Sequence, residues 1–321
     1  MDLDIKLGDI PELGSFLDYL TYRRPAVKPL GEYSLNELAA INSNWKTSCM
    51  SKGLDNLIDN IHRRTVTYQV YEGSDNDELK DVQLYCLSSE CGKDRPIAFI
   101  CSGGYYMYLS NLNEAFPVAA GLNELGYDCC VLNYRVACDH EVDKALDDLA
   151  NAVKMVMDDT EKYFPFHEED RGYIVAGFSA GANLTAMFGS TQIGYAKYGL
   201  KKPEALITAY PPIDLELFPP EQGGMLMKVM FGSKLLAAFD PAPYTFPTAL
   251  GTDYPDTFIV HAKDDEVVAV EHSVRYDRML RENGIRHEMY LVEKAKHGFG
   301  LGLETDAAGW LERAVNFIEH K

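Results

Sequence analysis

Tyr173-Ile174-Val175-Ala176-Gly177-Phe178-Ser179-Ala180-Gly181 is the stretch on which the fold turns. Its first four residues form a short apolar run of strand character, and Ala182, Leu184, Ala186, Met187 and Phe188 then suit a helix. Between them, Gly-x-Ser-x-Gly makes a turn so tight that the positions two before and two after the serine lie against neighbouring backbone. Glycine at 177 and 181 removes the Cβ atoms that would collide there. Ser179 is therefore expected in a strained conformation, its Oγ exposed at the carboxyl end of the strand beside a helix N-terminus. An ordinary Gly/Ser turn carries the same string, so the flanking strand and helix give the reading its weight.

Outward from this turn, strand and helix patterns alternate. Strands are expected at 97–101, 128–134, 205–209, 257–262 and 287–292. Helices are expected at 115–125, closed by Gly126, then at 142–157, about 271–283 and about 305–319. In the 142–157 helix, apolar residues at 142, 145, 146, 149, 152, 153, 156 and 157 keep one face. The pairs Asp147/Asp148 and Asp158/Asp159 fall mostly on its wet side and read as solvation. This rhythm predicts an α/β fold, a mainly parallel central sheet with helices on both faces. Thr65 to Tyr71 alternates as a strand does, and Asp81 to Leu87 returns, so an antiparallel N-terminal hairpin is expected at one edge. Asp75, Asn76 and Asp77 in the intervening turn lack the glycine and twelfth-position glutamate of a calcium loop and read as a solvated loop.

Two segments depart from the rhythm. Residues 1–62 carry short helical patterns (Leu35, Leu38, Ala39, Ile41) with Pro25 and Pro29, and read as an N-terminal extension grouped with a cap. Residues 63–321 are then the main domain. Within it, about 211–247 is rich in Pro, Met and Phe between two strands, and reads as a cap insertion over the strand ends, or else as a packed loop of the core.

Composition narrows the partners. Of 321 residues, 46% are hydrophobic and 25% charged, ordinary for a globular chain. The formal net charge of −19 argues against nucleic acid, whose phosphates need clustered Lys and Arg, and against anionic membrane surfaces. Neutral or cationic small molecules stay open, and so does a homo-oligomer. No apolar run reaches the roughly 18 residues of a membrane span. Met1-Asp2-Leu3-Asp4 is acidic where a signal peptide would be basic, and seven cysteines form no C-x-x-C pair, so a cytoplasmic location is expected.

A serine hydroxyl is a poor nucleophile at neutral pH and needs a base, which needs an orienting acid. Downstream of Ser179, the strand at 257–262 runs into Lys263-Asp264-Asp265-Glu266-Val267-Val268. Asp264 and Asp265 compete for the acid; Asp265 is favoured by its Asp-x-Val-Val setting. The strand at 287–292 leads to His297-Gly298-Phe299, and His297 is the histidine placed late, after a strand and in a loop. Oxyanion donors are expected from the amide of Ala180 and from the glycine-bearing loop Ser102-Gly103-Gly104-Tyr105-Tyr106.

Cys101-Ser-Gly-Gly-Tyr-Tyr106, Val131-Leu-Asn-Tyr-Arg-Val136, Gly177-Phe-Ser-Ala-Gly-Ala-Asn183 and His297-Gly-Phe299 together resemble the α/β-hydrolase esterases, nearest their hormone-sensitive-lipase-like and acetyl-xylan-esterase-like branches. The resemblance covers roughly residues 80–320. It implies Ser179 as nucleophile, His297 as base, Asp265 as orienting acid and Gly104, Tyr105 and Ala180 as oxyanion donors. It further implies a serine carboxylesterase acting on small neutral, acetylated and possibly sugar esters, with neither metal nor organic cofactor. The family's His-Gly-Gly-Gly appears here as Ser102-Gly-Gly-Tyr105, so the last donor position carries a side chain. An amide or peptide hydrolase with the same residues, and a catalytically silent binding protein on the same scaffold, are the alternatives.

Overall fold

The chain forms one eight-stranded sheet in the order β1-β2-β4-β3-β5-β6-β7-β8. The strands are β1 Thr67–Gln69, β2 Gln83–Leu87, β3 Ile97–Cys101, β4 Cys129–Asn133, β5 Tyr173–Phe178, β6 Ala205–Ala209, β7 Asp256–Ala262 and β8 His287–Val292. The structure, a computed structural model, describes all residues except 92–94, 139–140, 166–170, 233–249, 252 and 321. Part of the expected cap insertion, 233–247, therefore lies outside the described residues.

Strand β1 pairs antiparallel with β2, and β2 antiparallel with β4, while every pair from β4 to β8 is parallel. The predicted edge hairpin is thus present, though β1 is shorter than the alternating run that announced it. Strands β3 to β6 are buried on both faces, which is why they read as largely apolar runs, whereas the edge strand β8 is only half-buried from His287 to Leu291. In β3, Ala98 and Ile100 face one core while Ile97, Phe99 and Cys101 face the other. The longer described helices are α1 Leu35–Ile41, α2 Thr47–Arg63, α3 Ala115–Glu124, α4 Glu141–Asp158, α5 Ala180–Phe188, α6 Pro220–Phe231, α7 Glu271–Glu282 and α8 Trp310–Glu319. Helices α2, α3 and α8 bury their apolar residues on the first face, and α4, α5, α6 and α7 on the second.

Three expectations need correcting. The extension at 1–62 contains a 17-residue helix, α2, whose Cys49, Met50, Leu54 and Leu57 form a buried stripe against α3. The last helix begins at Trp310 rather than near Thr305, because Gly302 and Gly309 adopt φ of +68° and +85°, outside the helical region. Asp148 is fully buried instead of solvated. It accepts from Arg135 Nη2 at 2.7 Å, the Arg135 amide at 2.8 Å and the Tyr71 hydroxyl at 2.7 Å, a structural ion pair that fixes β4's exit to α4. Among the described residues no helix is long and apolar enough to cross a membrane.

Candidate active site

Strand β5 delivers Ser179 into a backbone conformation of φ 51°, ψ −120°, held by its amide donating to Ala209 O at 3.0 Å. The turn explains its glycines. A Cβ at Gly177 would stand 2.1 Å from Gly181 O, and one at Gly181 2.1 Å from Cys101 O. Such left-handed strain at a non-glycine residue costs about 1–3 kcal/mol and persists only where surroundings enforce it. It leaves the Ser179 Oγ facing the loops that follow β3, β7 and β8.

Those loops bring three predicted side chains together. His297 Nε2 lies 2.9 Å from Ser179 Oγ, and its Nδ1 lies 2.7 Å from Asp265 Oδ2. The other oxygen, Asp265 Oδ1, accepts the amides of Val267 and Val268, both at 2.8 Å. Burial alone would raise the Asp265 carboxyl, but hydrogen bonds from His261 and His297 outweigh it and hold the group well below the ordinary carboxylate range. Asp264 turns away: its Oδ1 accepts the amides of Ala295 and Lys296 at 2.9 Å each, so it shapes the histidine's loop without touching the ring.

His261 is a partner that the sequence did not single out for this contact. Its Nε2 faces two acceptors, Asp265 Oδ2 at 3.1 Å and Val268 O at 2.9 Å, so that nitrogen carries the proton. Its Nδ1 then accepts from the Ser273 hydroxyl at 2.7 Å. His272 accepts the Asp214 amide on Nδ1 at 3.2 Å; burial foremost, then neighbouring His261, pushes it down to about 4.

The loop after β3 is less regular than its glycines alone would require. Gly104, Tyr105 and Tyr106 have φ of 139°, 57° and 59°. Tyr106 is locked there by its hydroxyl on Asn183 Oδ1 at 2.9 Å and by its carbonyl, which accepts the Ala137 amide at 2.9 Å. Ser102 donates to Asn111 Oδ1 at 2.6 Å and takes no part in the cluster around Ser179. Among the described residues, nothing accepts from the amides of Gly104, Tyr105 or Ala180.

Other side chains near the site went unnoticed in the sequence. Asn44 donates to His297 O at 3.0 Å and Asn113 to Gly298 O at 2.7 Å, clamping consecutive carbonyls of the histidine's loop. The Tyr210 ring meets the His297 ring edge-on at 4.8 Å. Glu114, only 3% exposed, accepts the Gly103 amide at 2.6 Å and the Tyr210 hydroxyl at 3.0 Å. No local pattern marks these residues, since each contact joins distant parts of the chain.

Two cavities open beside Ser179. One, of about 350 Å³, is walled by Arg24, Asn42, Asn44, Trp45, Tyr105, Tyr108, Asn113 and Glu114. The other is about 20 Å³ and is apolar, walled by Tyr106, Ala180, Phe218, Leu226, Met230 and Val268. Among the described residues no three His, Cys, Asp or Glu side chains are grouped as a metal site requires.

A mixed but mainly parallel eight-stranded sheet, with a serine on a strained turn after β5 and a histidine after the last strand, defines an α/β-hydrolase fold. Its likeness to solved structures bears this out. The acetyl ester-xyloside bifunctional hydrolase of Caldicellulosiruptor lactoaceticus superimposes with a TM-score of 0.64 at 24% identity, over 80% of this chain and 96% of that one. The carboxylesterase Cest-2923 of Lactobacillus plantarum gives 0.61 at 23% identity, over 74% and 91%. Residues 82–280, well over half the chain, match the BD-FAE family model, and the chain belongs to the BD-FAE family. Among curated proteins, esterase LipC of Mycobacterium tuberculosis is 26% identical over 255 residues, 75% of this chain but only 60% of LipC. The probable carboxylic ester hydrolase LipM of the same organism is 24% identical over 225 residues, 64% of this chain and 50% of LipM.

Proposed function

We propose that this protein is a serine carboxylesterase cleaving small neutral esters with a short acyl group, acetyl foremost, through an acyl-serine intermediate. The observation that carries the reading is the continuous chain from Ser179 Oγ through the His297 imidazole to Asp265. In the reaction, His297 takes the serine proton as Oγ attacks the ester carbonyl. The amides of Gly104, Tyr105 and Ala180 donate to the developing oxyanion, each worth about 2.7–4 kcal/mol by comparison with measured donors. Collapse of the tetrahedral intermediate breaks the carbon–oxygen bond to the alcohol, which leaves with the proton from His297. Water then gives a proton to His297, attacks the acyl-serine and releases the carboxylic acid, and Ser179 regains its proton. Asp265 holds Nδ1–H throughout and so fixes which nitrogen faces the serine.

The two cavities support a division of the substrate. The smaller space, about 20 Å³ against about 350 Å³ for the larger, is narrow and apolar and suits a short acyl chain. The larger cavity, with amides and aromatic rings on its walls, suits a polar, hydroxyl-rich alcohol such as a sugar. On this reading the N-terminal residues Arg24, Asn42, Asn44 and Trp45 serve as part of a cap. That LipC is an esterase and the Caldicellulosiruptor protein an acetyl ester-xyloside hydrolase is in keeping with ester cleavage. All seven cysteines are free thiols, which supports a reducing compartment such as the cytoplasm.

Nitrophenyl esters of graded acyl length provide the test. Acetate is expected to be turned over faster than hexanoate, and Ser179→Ala to abolish turnover; native-like turnover by that variant would overturn the proposal. Acyl transfer to water does not itself choose the leaving group, so an amide matched to the preferred ester separates esterase from amidase.

A further inference from the structure

We propose that Glu114 is a positioning residue for acyl transfer, a single buried carboxylate tying the loop of oxyanion donors to the loop that carries His297. The inference rests on the esterase reading above and concerns how its two loops are held in mutual register.

Glu114 stands immediately before α3, and both of its oxygens are engaged. Oε2 accepts from the Gly103 amide at 2.6 Å, and Oε1 from the Tyr210 hydroxyl at 3.0 Å. The Tyr210 oxygen in turn accepts the Gly300 amide at 3.2 Å. Each end of this relay lies beside the chemistry. Gly103 precedes the donor Gly104, and its backbone runs so close to the nucleophile that a Cβ would stand 2.7 Å from Ser179 Cβ. At the other end, Tyr210 packs edge-on against the His297 ring, and Gly300 lies three residues beyond it.

Neither loop is held by repeating backbone hydrogen bonds. Left-handed φ values occur at Gly104, Tyr105 and Tyr106 in the first and at Lys296, Gly298 and Gly300 in the second. Their separation therefore depends on side-chain ties, and Glu114 binds both loops at once. A carboxylate presents two acceptor oxygens to the Gly103 amide and the Tyr210 hydroxyl; an amide would either turn its NH2 toward the Gly103 N–H or reverse the hydrogen bond to Tyr210, whose oxygen already accepts from Gly300. Burying the group is expensive, and burial does raise this carboxyl, against the opposing pull of Gly103, His297 and Tyr210. A carboxylate buried there at a cost in stability, with both oxygens spent on the two loops, points to a role in the site. Glu114 acts through Gly103 and Tyr210, so its loss displaces groups that matter most in the transition state.

Glu114→Gln and Tyr210→Phe test this with 4-nitrophenyl acetate, rates being normalised to active sites titrated with a fluorophosphonate. Glu114→Gln is expected to lower kcat about 10- to 100-fold, the scale of a 1 Å misplacement, with KM changed less than about 3-fold. Affinity for a phenylboronic acid, whose tetrahedral serine adduct uses the oxyanion donors, should fall in parallel. Tyr210→Phe should fall less, and the double variant no further than Glu114→Gln, because the two act in series. Native kcat and boronate affinity in Glu114→Gln, with only the melting temperature changed, would overturn the inference. Should Glu114→Gln fail to fold, Tyr210→Phe decides by the same readouts, native kcat and boronate affinity again overturning it. If the native protein turns over no ester, the esterase reading fails and this one with it. If the native protein does turn it over and Glu114→Gln matches it, this inference fails alone.

Discussion

Asp264 and Asp265 are adjacent in sequence and both follow β7, yet they are wired to different partners. Asp265 meets the imidazole, whereas Asp264 meets only the amides of Ala295 and Lys296. Asparagine keeps an acceptor oxygen for two amides but offers an N–H to an imidazole N–H. Asp264→Asn should therefore retain kcat within a few-fold, while Asp265→Asn should lose about 10⁴-fold, the cost of a wrong tautomer in serine hydrolases. Steady-state kinetics of the pair checks this; equal losses would contradict the assignment. The same carboxylate sets a pH window. The Asp265 carboxyl in the folded protein lies below its unfolded value of about 3.9, so the unfolded chain binds the extra proton. Its stabilisation is complete above pH 4 and is lost as pH falls through the depressed folded value. Urea unfolding of native protein and Asp265→Asn should show a constant difference from pH 7 to 5 that shrinks below pH 4. A difference that grew on acidification would refute this sign. Residue chemistry was legible at Ser179, where a turn that tolerates no Cβ demands two glycines. It was illegible at Glu114 and Asn44, whose roles arise from contacts with Gly103, Tyr210 and His297 that no local pattern encodes.

Among the elements, α2 shows how a sequence preference and a packing demand oppose each other. Gly53 lies in mid-helix, where alanine would gain about 0.5–1 kcal/mol in propensity. A Cβ there would meet Pro117 N at 2.7 Å and Phe116 C at 2.9 Å, backbone atoms of α3 that cannot swing aside. Overpacking of this kind costs about 1–3 kcal/mol, so Gly53→Ala is expected to lower stability despite its better propensity. Thermal melting checks it, and a raised Tm would contradict the close packing of α2 on α3. Strands β3 and β5 could be read from sequence because burial on both faces leaves apolar runs, and β6 likewise but for Thr208. The 47–63 helix was harder: it carries Lys52, Asp55, Asn56 and Asp59 among its apolar stripe, and a glycine at the contact point. The left-handed Tyr105-Tyr106 pair could not be read at all, because Asn183 and Ala137 hold it from distant elements.

Over the whole molecule, the N-terminal segment and the sheet share one core and one cavity wall. Leu7, Leu13, Leu20, Met50 and Leu54 belong to the same buried cluster as Ile100 and Ile174. Arg24, whose guanidinium lies 4.2 Å from the Trp45 ring centroid, lines the larger cavity with Tyr108. The smaller cavity is closed by α6, through Leu226 and Met230. Leu226→Ala should widen it and move the preference from acetate toward butyrate by about 10-fold in relative kcat/KM, about the value of one or two buried methylenes. An unchanged acyl profile would place the acyl group elsewhere. The alternation of strands and helices made the sheet and its two covered faces legible, but not the joining of residues 24 and 42–45 to the site, which depends on α2 docking against α3.

The most direct test is covalent. Incubation with one equivalent of a fluorophosphonate followed by peptide mass spectrometry should place a single adduct on Ser179, with no adduct in Ser179→Ala and strongly slowed labelling in His297→Ala. No adduct on the native protein, or one on a different residue, would contradict acyl transfer at this site.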